Sequence, residues 1–368
     1  MTNAKQPKID QFWMQHAIDL ALQGEGMTRP NPPVGAVVVK AGRILGEGFH
    51  PRAGEPHAEV FALRDAGKQA RGATLYVTLE PCCTHGRTPP CTEAIIAAGI
   101  RRVVYGCVDP NPAHAGRADK ILARAGITVT RPVLESSCQT LIAPFATRLL
   151  HKRPYVTLKL ACSLDGRIAD PRGKSKWITG PGAREAVQEL RRAVDAVMVG
   201  AETIRADDPS LLPRPAEGRE PWRVVIAGSR PLPLKARVFT DEARSRTLVY
   251  STRDFAQADA LQRQGITVVQ VAAARGNVSM KAVLRDLAAR GCMHLLCEGG
   301  GVLAEALLRE SLIDQCWMFY SPRFLGDAAT PGVAGRGWQL DRAPGFVMSH
   351  VEQLGGDVLL VAKRTPMN

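Results

Sequence analysis

Apolar runs of strand length alternate with amphipathic stretches of helix length, twice over, along this chain of 368 residues. Strand–helix–strand alternation builds a sheet covered by helices. In the first half, Asp10 reads as the cap of a helix over Gln11–Leu22, with apolar residues at 13, 14, 17, 18 and 21. Strands are expected at Ala36–Lys40, Ile44–Phe49, Leu75–Leu79 and Arg102–Val108, with helices at Ala58–Ala66 and Cys91–Ala98 closed by Gly67 and Gly99. The basic, proline-ended stretch RLLHKRP (148–154) reads as a boundary. Beyond it the alternation restarts. Strands are expected at Tyr155–Ala161, Ala196–Gly200, Arg223–Ala227, Thr247–Tyr250 and His294–Cys297, and helices at Gly182–Arg192, Met280–Ala289 and Val302–Arg309. The expectation is an α/β protein of two domains, residues 1–150 and 151–368. Proline- and glycine-rich segments near 207–221 and 322–337 read as long surface loops.

Composition narrows the function classes. No apolar run reaches the length of a membrane span, and the N-terminal segment lacks the apolar stretch of a secretory signal. Nine scattered cysteines do not form a disulfide framework and fit a reducing, cytoplasmic setting. The net charge of +13 suits phosphorylated small molecules or nucleic acid. There is no basic block and no basic stripe interleaved with aromatics, which places nucleic acid second.

The chemistry concentrates in HAE (57–59) and EPCCTHGRTPPC (80–91). His57 and Cys91 each open a helix, and Cys82 follows a strand end. Helix N-termini favour thiolates. One imidazole and two thiolates offer zinc three ligands and leave a fourth position for water, the arrangement of a catalytic site. Glu59, two residues past His57, is placed to carry protons for that water. The order H-x-E then P-C then C is the signature of zinc deaminases, although eight residues rather than two separate the cysteines. Cys83 stays open as an alternative to Cys82. A closed structural zinc site would need a fourth ligand. His85 is the nearby candidate, and the turn at Gly86 is expected to carry it toward substrate or solvent.

TRPNPPVGAVVVK (28–40), GEGFHPRAGEPHAEVFAL (46–63), TLEPCCTHGRTPPCTEAI (78–95) and DPNP (109–112) resemble the deaminase half of the bifunctional riboflavin-biosynthesis deaminase–reductases. LKLACSLDGRIA (158–169), SKWITG (175–180), ADDPSLL (206–212) and CEGGGVLAEALL (297–308) resemble the reductase half. The resemblance implies a cytidine-deaminase-like three-layer domain followed by a dihydrofolate-reductase-like domain. It implies zinc-dependent hydrolytic deamination of a diamino-ribosylamino-pyrimidinone 5′-phosphate, then NADPH-dependent reduction of the ribosyl chain to ribityl. His57, Cys82 and Cys91 would hold zinc, Glu59 would shuttle protons, and Asn31 and His50 would line the base pocket. Ala161, Trp177, Thr203 and Asp207 would line the NADPH site. Lys159, Ser175, Arg191, Leu211, Arg214 and Glu298 would contact the substrate, the arginines gripping its phosphate. Arg192 is expected to be a surface charge.

Read from the residues themselves, Gly299, Gly300 and Gly301 lie between a strand and a helix, where backbone N–H groups can approach a phosphate. Arg230, after a strand that offers no carboxylate, is placed for a 2′-phosphate or is a loop charge. The family often has serine and histidine after the first cysteine and an aspartate near 227, where this chain has Cys83, Thr84 and Ala227. The role of position 84, with His85 as its substitute or a bystander, stays open. The expected partner is a phosphorylated pyrimidine, with no nucleic acid and no membrane; a homo-oligomer is compatible. The second reading is a nucleic-acid-editing deaminase with an accessory domain.

Overall fold

The computed structural model describes residues 6–85, 89–215, 219–274 and 276–364. The chain divides into two compact units, Met1–Lys152 and Arg153–Asn368.

The first unit contains, in chain order, α1 (Gln6–Leu22), β1 (Gly35–Lys40), β2 (Arg43–Phe49), α2 (Ala58–Ala66), β3 (Thr74–Leu79), α3 (Cys91–Ala97), β4 (Arg102–Cys107), α4 (Arg117–Arg124), β5 (Thr128–Thr130) and α5 (Glu135–His151). Its sheet runs β2-β1-β3-β4-β5. β1 runs antiparallel to both its neighbours, β2 and β3, and β3, β4 and β5 are parallel. The two-residue period of the strands divides the core between the faces. Ala36, Val38, Leu75, Val77, Val103 and Tyr105 pack against α2, α3 and α4. Val37, Val39, Tyr76 and Val104 pack against α1 and α5. Three layers result.

Asp10 does not cap α1. The helix starts four residues earlier, and Asp10 lies buried inside it. Its carboxylate accepts a fork from Arg102 at 2.9 and 2.7 Å and a bond from the Tyr76 hydroxyl at 2.9 Å. Burial disfavours its charge, but the bonds from Arg102, Gln6 and Tyr76 outweigh that and hold the carboxyl below the usual range. It anchors the helix to β3 and β4. The α5 helix is not expected from the sequence, because Pro144 sits inside it.

The second unit contains β6 (Tyr155–Ser163), β7 (Arg167–Ala169), α6 (Pro181–Ala193), β8 (Ala196–Gly200), α7 (Ala201–Asp207), β9 (Trp222–Ile226), α8 (Arg237–Thr240), β10 (Thr247–Ser251), α9 (Ala258–Arg263) and β11 (Thr267–Gln270). There follow β12 (Ala273–Ala274), β13 (Asn277–Val278), α10 (Met280–Ala289), β14 (His294–Cys297), α11 (Gly301–Arg309), β15 (Gln315–Ser321), β16 (Thr330–Pro331), β17 (Phe346–Leu354) and β18 (Asp357–Arg364). Nine strands form one sheet in the order β11-β10-β9-β8-β14-β6-β15-β18-β17. The seven from β11 to β15 are parallel, and β18 and β17 close the edge as an antiparallel hairpin. Apolar clusters cover both faces: Leu158, Leu160 and Leu295 belong to one, Val197, Val199 and Leu296 to the other. Fully buried parallel strands read as continuous apolar runs, as HLLC in β14 does. Among the described residues, no helix is long and apolar enough to cross a membrane.

Candidate active sites

In the first unit, β2 carries Gly46 and Gly48 on the side facing α2. A Cβ at Gly46 would run into the backbone of Ala62 and Ala66, and one at Gly48 into Phe61. The helix therefore lies at backbone distance from the strand, which fixes where its N-cap residue His57 and its first-turn Glu59 sit. Gly48→Val is expected to lever α2 off the sheet at a cost of about 1–3 kcal/mol. A lower melting temperature together with reduced metal content per chain checks this. A melting temperature unchanged from wild type would show that the close approach has slack.

Three ligand atoms converge there. His57 Nδ1 lies 3.2 Å from Cys91 Sγ and 3.5 Å from Cys82 Sγ, and all three ligand atoms lie within 4.8 Å of one another. Zn–S bonds of about 2.3 Å and Zn–N bonds of about 2.0 Å give a tetrahedron with N···S edges of roughly 3.5 Å, so the donor set fits zinc. Cys91 is the first residue of α3, and its backbone N–H donates to Cys82 Sγ at 3.3 Å. The hydrogen bond with the Cys91 side chain pulls the Cys82 thiol down to about 4 against the effect of burial, aided by His57 and then by the Cys91 backbone N–H. The bond to Cys82 raises His57 to about 9. The Cys91 thiol is pushed upward by its bond to Cys82 and by burial.

Glu59 is 3% exposed, and its Oε2 has no hydrogen-bond partner among the described residues. Burial first, then the charge of Cys82, raises its pKa. A buried carboxylate left one bond short beside three metal donors suits a group that takes up and releases a proton. His50 is buried, with its ring 5.5 Å from that of His57. Its Nδ1–H donates to the Pro56 carbonyl at 3.0 Å, so Nε2 accepts from Asn31 Nδ2 at 3.1 Å. Burial lowers its pKa and keeps the ring neutral.

Glu80 and His114 join the site without a sequence signal of their own kind. Glu80 is buried and accepts three backbone N–H bonds, from Asp109 and Gly116 at Oε2 and from Ala118 at Oε1, at 3.2, 2.9 and 3.1 Å. It ties the strand end before Cys82 to the loop between β4 and α4. An acid standing immediately before Pro81 and Cys82, where a strand ends, was the available signal. His114, on that loop, meets Thr84 and Cys83. His85 is 70% exposed, with Glu93 as an ion-pair partner at 3.7 Å. Gly86 lies outside the described residues.

In the second unit, Arg191 and Glu298 form a buried fork: Nε to Oε1 at 2.6 Å and Nη2 to Oε2 at 2.8 Å. Nη1 of the same arginine reaches the Leu212 carbonyl. Burial disfavours the Glu298 charge, but Arg191 outweighs it and lowers the pKa. Lys159 is half-buried on β6 and coupled to them, and desolvation lowers its pKa while Glu298 opposes the shift. Ser175 donates to Asp207 at 2.8 Å. Leu211 is a core residue in the left-handed region, so its side chain faces the interior. Trp177, 60% exposed, carries Arg184 over its ring at 4.7 Å. Ala161 lies on β6 opposite Phe319, and Thr203 lies on α7. Among the described residues, neither Trp177 nor the exposed Arg214 side chain bonds to the Arg191–Glu298 pair.

Two sequence readings change. Arg192 is not a bare surface charge: half-buried, it donates to the Arg214 carbonyl at 3.0 Å. The three glycines also separate. A Cβ at Gly299 would strike Leu303, and one at Gly301 would strike the Pro331 carbonyl and Ala334, whereas one at Gly300 would meet open space. Only Gly300 is small on a side open to a ligand; the other two are small because the fold closes on them. Arg230 is exposed and stands 3.4 Å from Glu202, which Arg205 also holds.

The family model for the cytidine and deoxycytidylate deaminase zinc-binding region matches residues 7–107, and the RibD C-terminal domain matches residues 154–360. The chain is 42% identical to the riboflavin biosynthesis protein RibD of Aquifex aeolicus, covering 97% of this chain and 99% of that one. It is 40% identical to RibD of Escherichia coli, covering 95% and 98%. An Acinetobacter baumannii RibD structure aligns with a TM-score of 0.85 at 40% identity, covering 98% and 100%. The diaminohydroxyphosphoribosylaminopyrimidine deaminase/5-amino-6-(5-phosphoribosylamino)uracil reductase of Thermotoga maritima aligns at 0.84 with 38% identity, covering 98% and 99%. With each half matched to its own domain and relatives spanning nearly its whole length, this chain belongs to the RibD family of bifunctional riboflavin-biosynthesis deaminase–reductases.

Proposed function

We propose that the first unit hydrolyses the ring amine of a phosphorylated pyrimidine, and that the second reduces the ribosyl chain of the product with NADPH. The observation that carries this reading is the convergence of His57, Cys82 and Cys91 beside the one-bond-short carboxylate of Glu59. His57, Cys82 and Cys91 are the residues that would hold zinc, with Cys82 rather than Cys83 as the first sulfur. When bound, zinc lowers the pKa of a water toward about 7 and so supplies hydroxide at neutral pH. Glu59 takes the proton that the water gives up and returns it to the departing amine. The balance is water in, ammonia out, and a carbonyl in place of the amine. Asn31 and His50 hold the ring, and the fixed tautomer of His50 keeps the Asn31 amide aimed.

In the second unit, NADPH supplies a hydride to the sugar carbon that becomes part of the ribityl chain. Lys159, whose charge Glu298 supports against the effect of burial, is the residue that would donate a proton at the sugar. Arg191 keeps Glu298 charged, and Ser175 and Asp207 brace one another at the same site. Gly300 is the one glycine of its run suited to a close cofactor contact. The nine free cysteines fit a reducing compartment, the cytosol. Nucleic-acid editing is not favoured, because the relatives match both units from end to end.

Stripping the metal with a chelator tests the reading. Ammonia release from the pyrimidine phosphate is expected to vanish and to return with added zinc. NADPH oxidation on the deaminated substrate is expected to continue. Ammonia release that persists in metal-free protein would overturn the assignment.

A further inference from the structure

Among the described residues, Arg184 on α6 pairs with no carboxylate. Its partners are a backbone carbonyl and a ring. Nη1 donates to the Thr179 carbonyl at 3.1 Å, and the guanidinium lies over Trp177, 4.7 Å from the ring centroid. Trp177 is itself unusual. It stays 60% exposed although a guanidinium already covers one face of the indole. A ring held in water forgoes a large burial gain, which a flat ligand laid against its open face would recover.

The backbone that carries this ring is fastened along its length. Asp170 accepts the Arg172 and Lys174 N–H groups at 2.8 and 2.9 Å. Ser175 Oγ donates to Asp207 Oδ1 at 2.8 Å, and Lys176 Nζ to the Asp207 carbonyl at 2.7 Å. Beyond the tryptophan, Thr179 is buried, and the Gly180 N–H donates to the buried carboxylate of Asp357 at 2.6 Å. Residues 175 and 176 thus bring Trp177 beside Asp207, at the end of α7. With the backbone tied on both sides, the freedom left to the ring is in its side-chain torsions. Arg184 restrains those from the first turn of α6, the helix into which this segment runs.

We propose that Arg184 is a positioning residue of the reductase: stacked on one face of Trp177, it holds the indole still, so that a planar ring of NADPH meets the other face as a preformed wall. This rests on the reading that Trp177 lines the NADPH site. A guanidinium suits the task better than an apolar side chain. It is attracted to the ring face, it stacks flat, and the Thr179 carbonyl fixes its orientation. A ring already ordered loses no freedom when the cofactor arrives, so the gain falls on cofactor affinity and not on the hydride step.

The test is steady-state reduction of the deaminated substrate by the full-length protein, with NADPH varied, for wild type, Arg184→Met, Arg184→Lys, Trp177→Leu and the R184M/W177L double variant. Urea unfolding is followed alongside. R184M keeps the length of the stem but not the charge. It is expected to raise KM for NADPH roughly 3- to 10-fold while kcat stays within about twofold of wild type. R184K, which keeps a cation over the ring, is expected to recover part of the loss. W177L is expected to raise KM at least as far, and adding R184M to it to cost nothing more, because the arginine acts through the ring. An unchanged KM in R184M would overturn the proposal, as would an equal cost of R184M with and without Trp177. A fall in kcat together with unfolding at lower urea would overturn it too, by making Arg184 a brace for α6. A raised KM in W177L beside a wild-type KM in R184M would sink this inference alone. A wild-type KM in W177L would remove the tryptophan from the cofactor site, and the underlying reading would fall with it.

Discussion

Glu59→Gln is expected to retain zinc and fold but to lose ammonia release by roughly 10²- to 10⁴-fold, the range that a positioned acid–base group contributes. The amide keeps the volume and a hydrogen-bond acceptor but cannot carry a proton between water and the departing amine. The reductase provides an internal control: NADPH oxidation on deaminated substrate should match wild type, because Glu59 belongs to the other compact unit. Metal content per chain and the two rates, measured on one preparation, decide the matter. A variant that still deaminates at more than about a tenth of the wild-type rate would show that the proton travels by another route.

The second large effect concerns Arg191. Its guanidinium makes two short bonds to Glu298 and one to a backbone carbonyl, in a pair whose side chains are only 11% and 10% exposed. Resemblance alone made Arg191 a phosphate ligand; the geometry gives it a prior engagement. Arg191→Met would leave a buried carboxylate with Lys159 as its remaining counter-charge. Breaking one side of a buried ion pair costs about 3–5 kcal/mol. The second unit is thus expected to unfold at markedly lower urea, and NADPH-dependent reduction to be lost. The double variant Arg191→Met with Glu298→Gln should regain part of that stability, since the stranded charge is gone. If R191M kept wild-type unfolding and changed only KM, Arg191 would be a substrate ligand and not a structural partner.

Much of this was readable from the chain itself, for a physical reason. The α10 and β14 segments lie where the periodicity puts them, because each is a short element with an uninterrupted pattern and a polar or glycine boundary. The three metal donors were legible because each falls at an element boundary, so that local structure alone brings them toward one point. Asp10 misled because an acid before an apolar stretch looks the same in sequence whether it caps a helix or pairs with an arginine 92 positions away. The β17 strand left little pattern, being exposed along nearly its whole length. Glu80, His114 and the Arg191–Glu298 fork were not legible as contacts: each depends on segments joined only by the fold. The run of glycines at 299–301 was legible as a turn, but which of them faces a ligand is decided by Leu303, Pro331 and Ala334.

The triple amide cradle around Glu80 bears on where the catalytic half can be cut. The deaminase match stops at Cys107, yet all three donors to that carboxylate come from Asp109, Gly116 and Ala118. A fragment trimmed to the matched region would keep every zinc ligand and strand a bare anion next to them. The smallest autonomous deaminase is therefore longer than its recognisable signature, and must reach through α4.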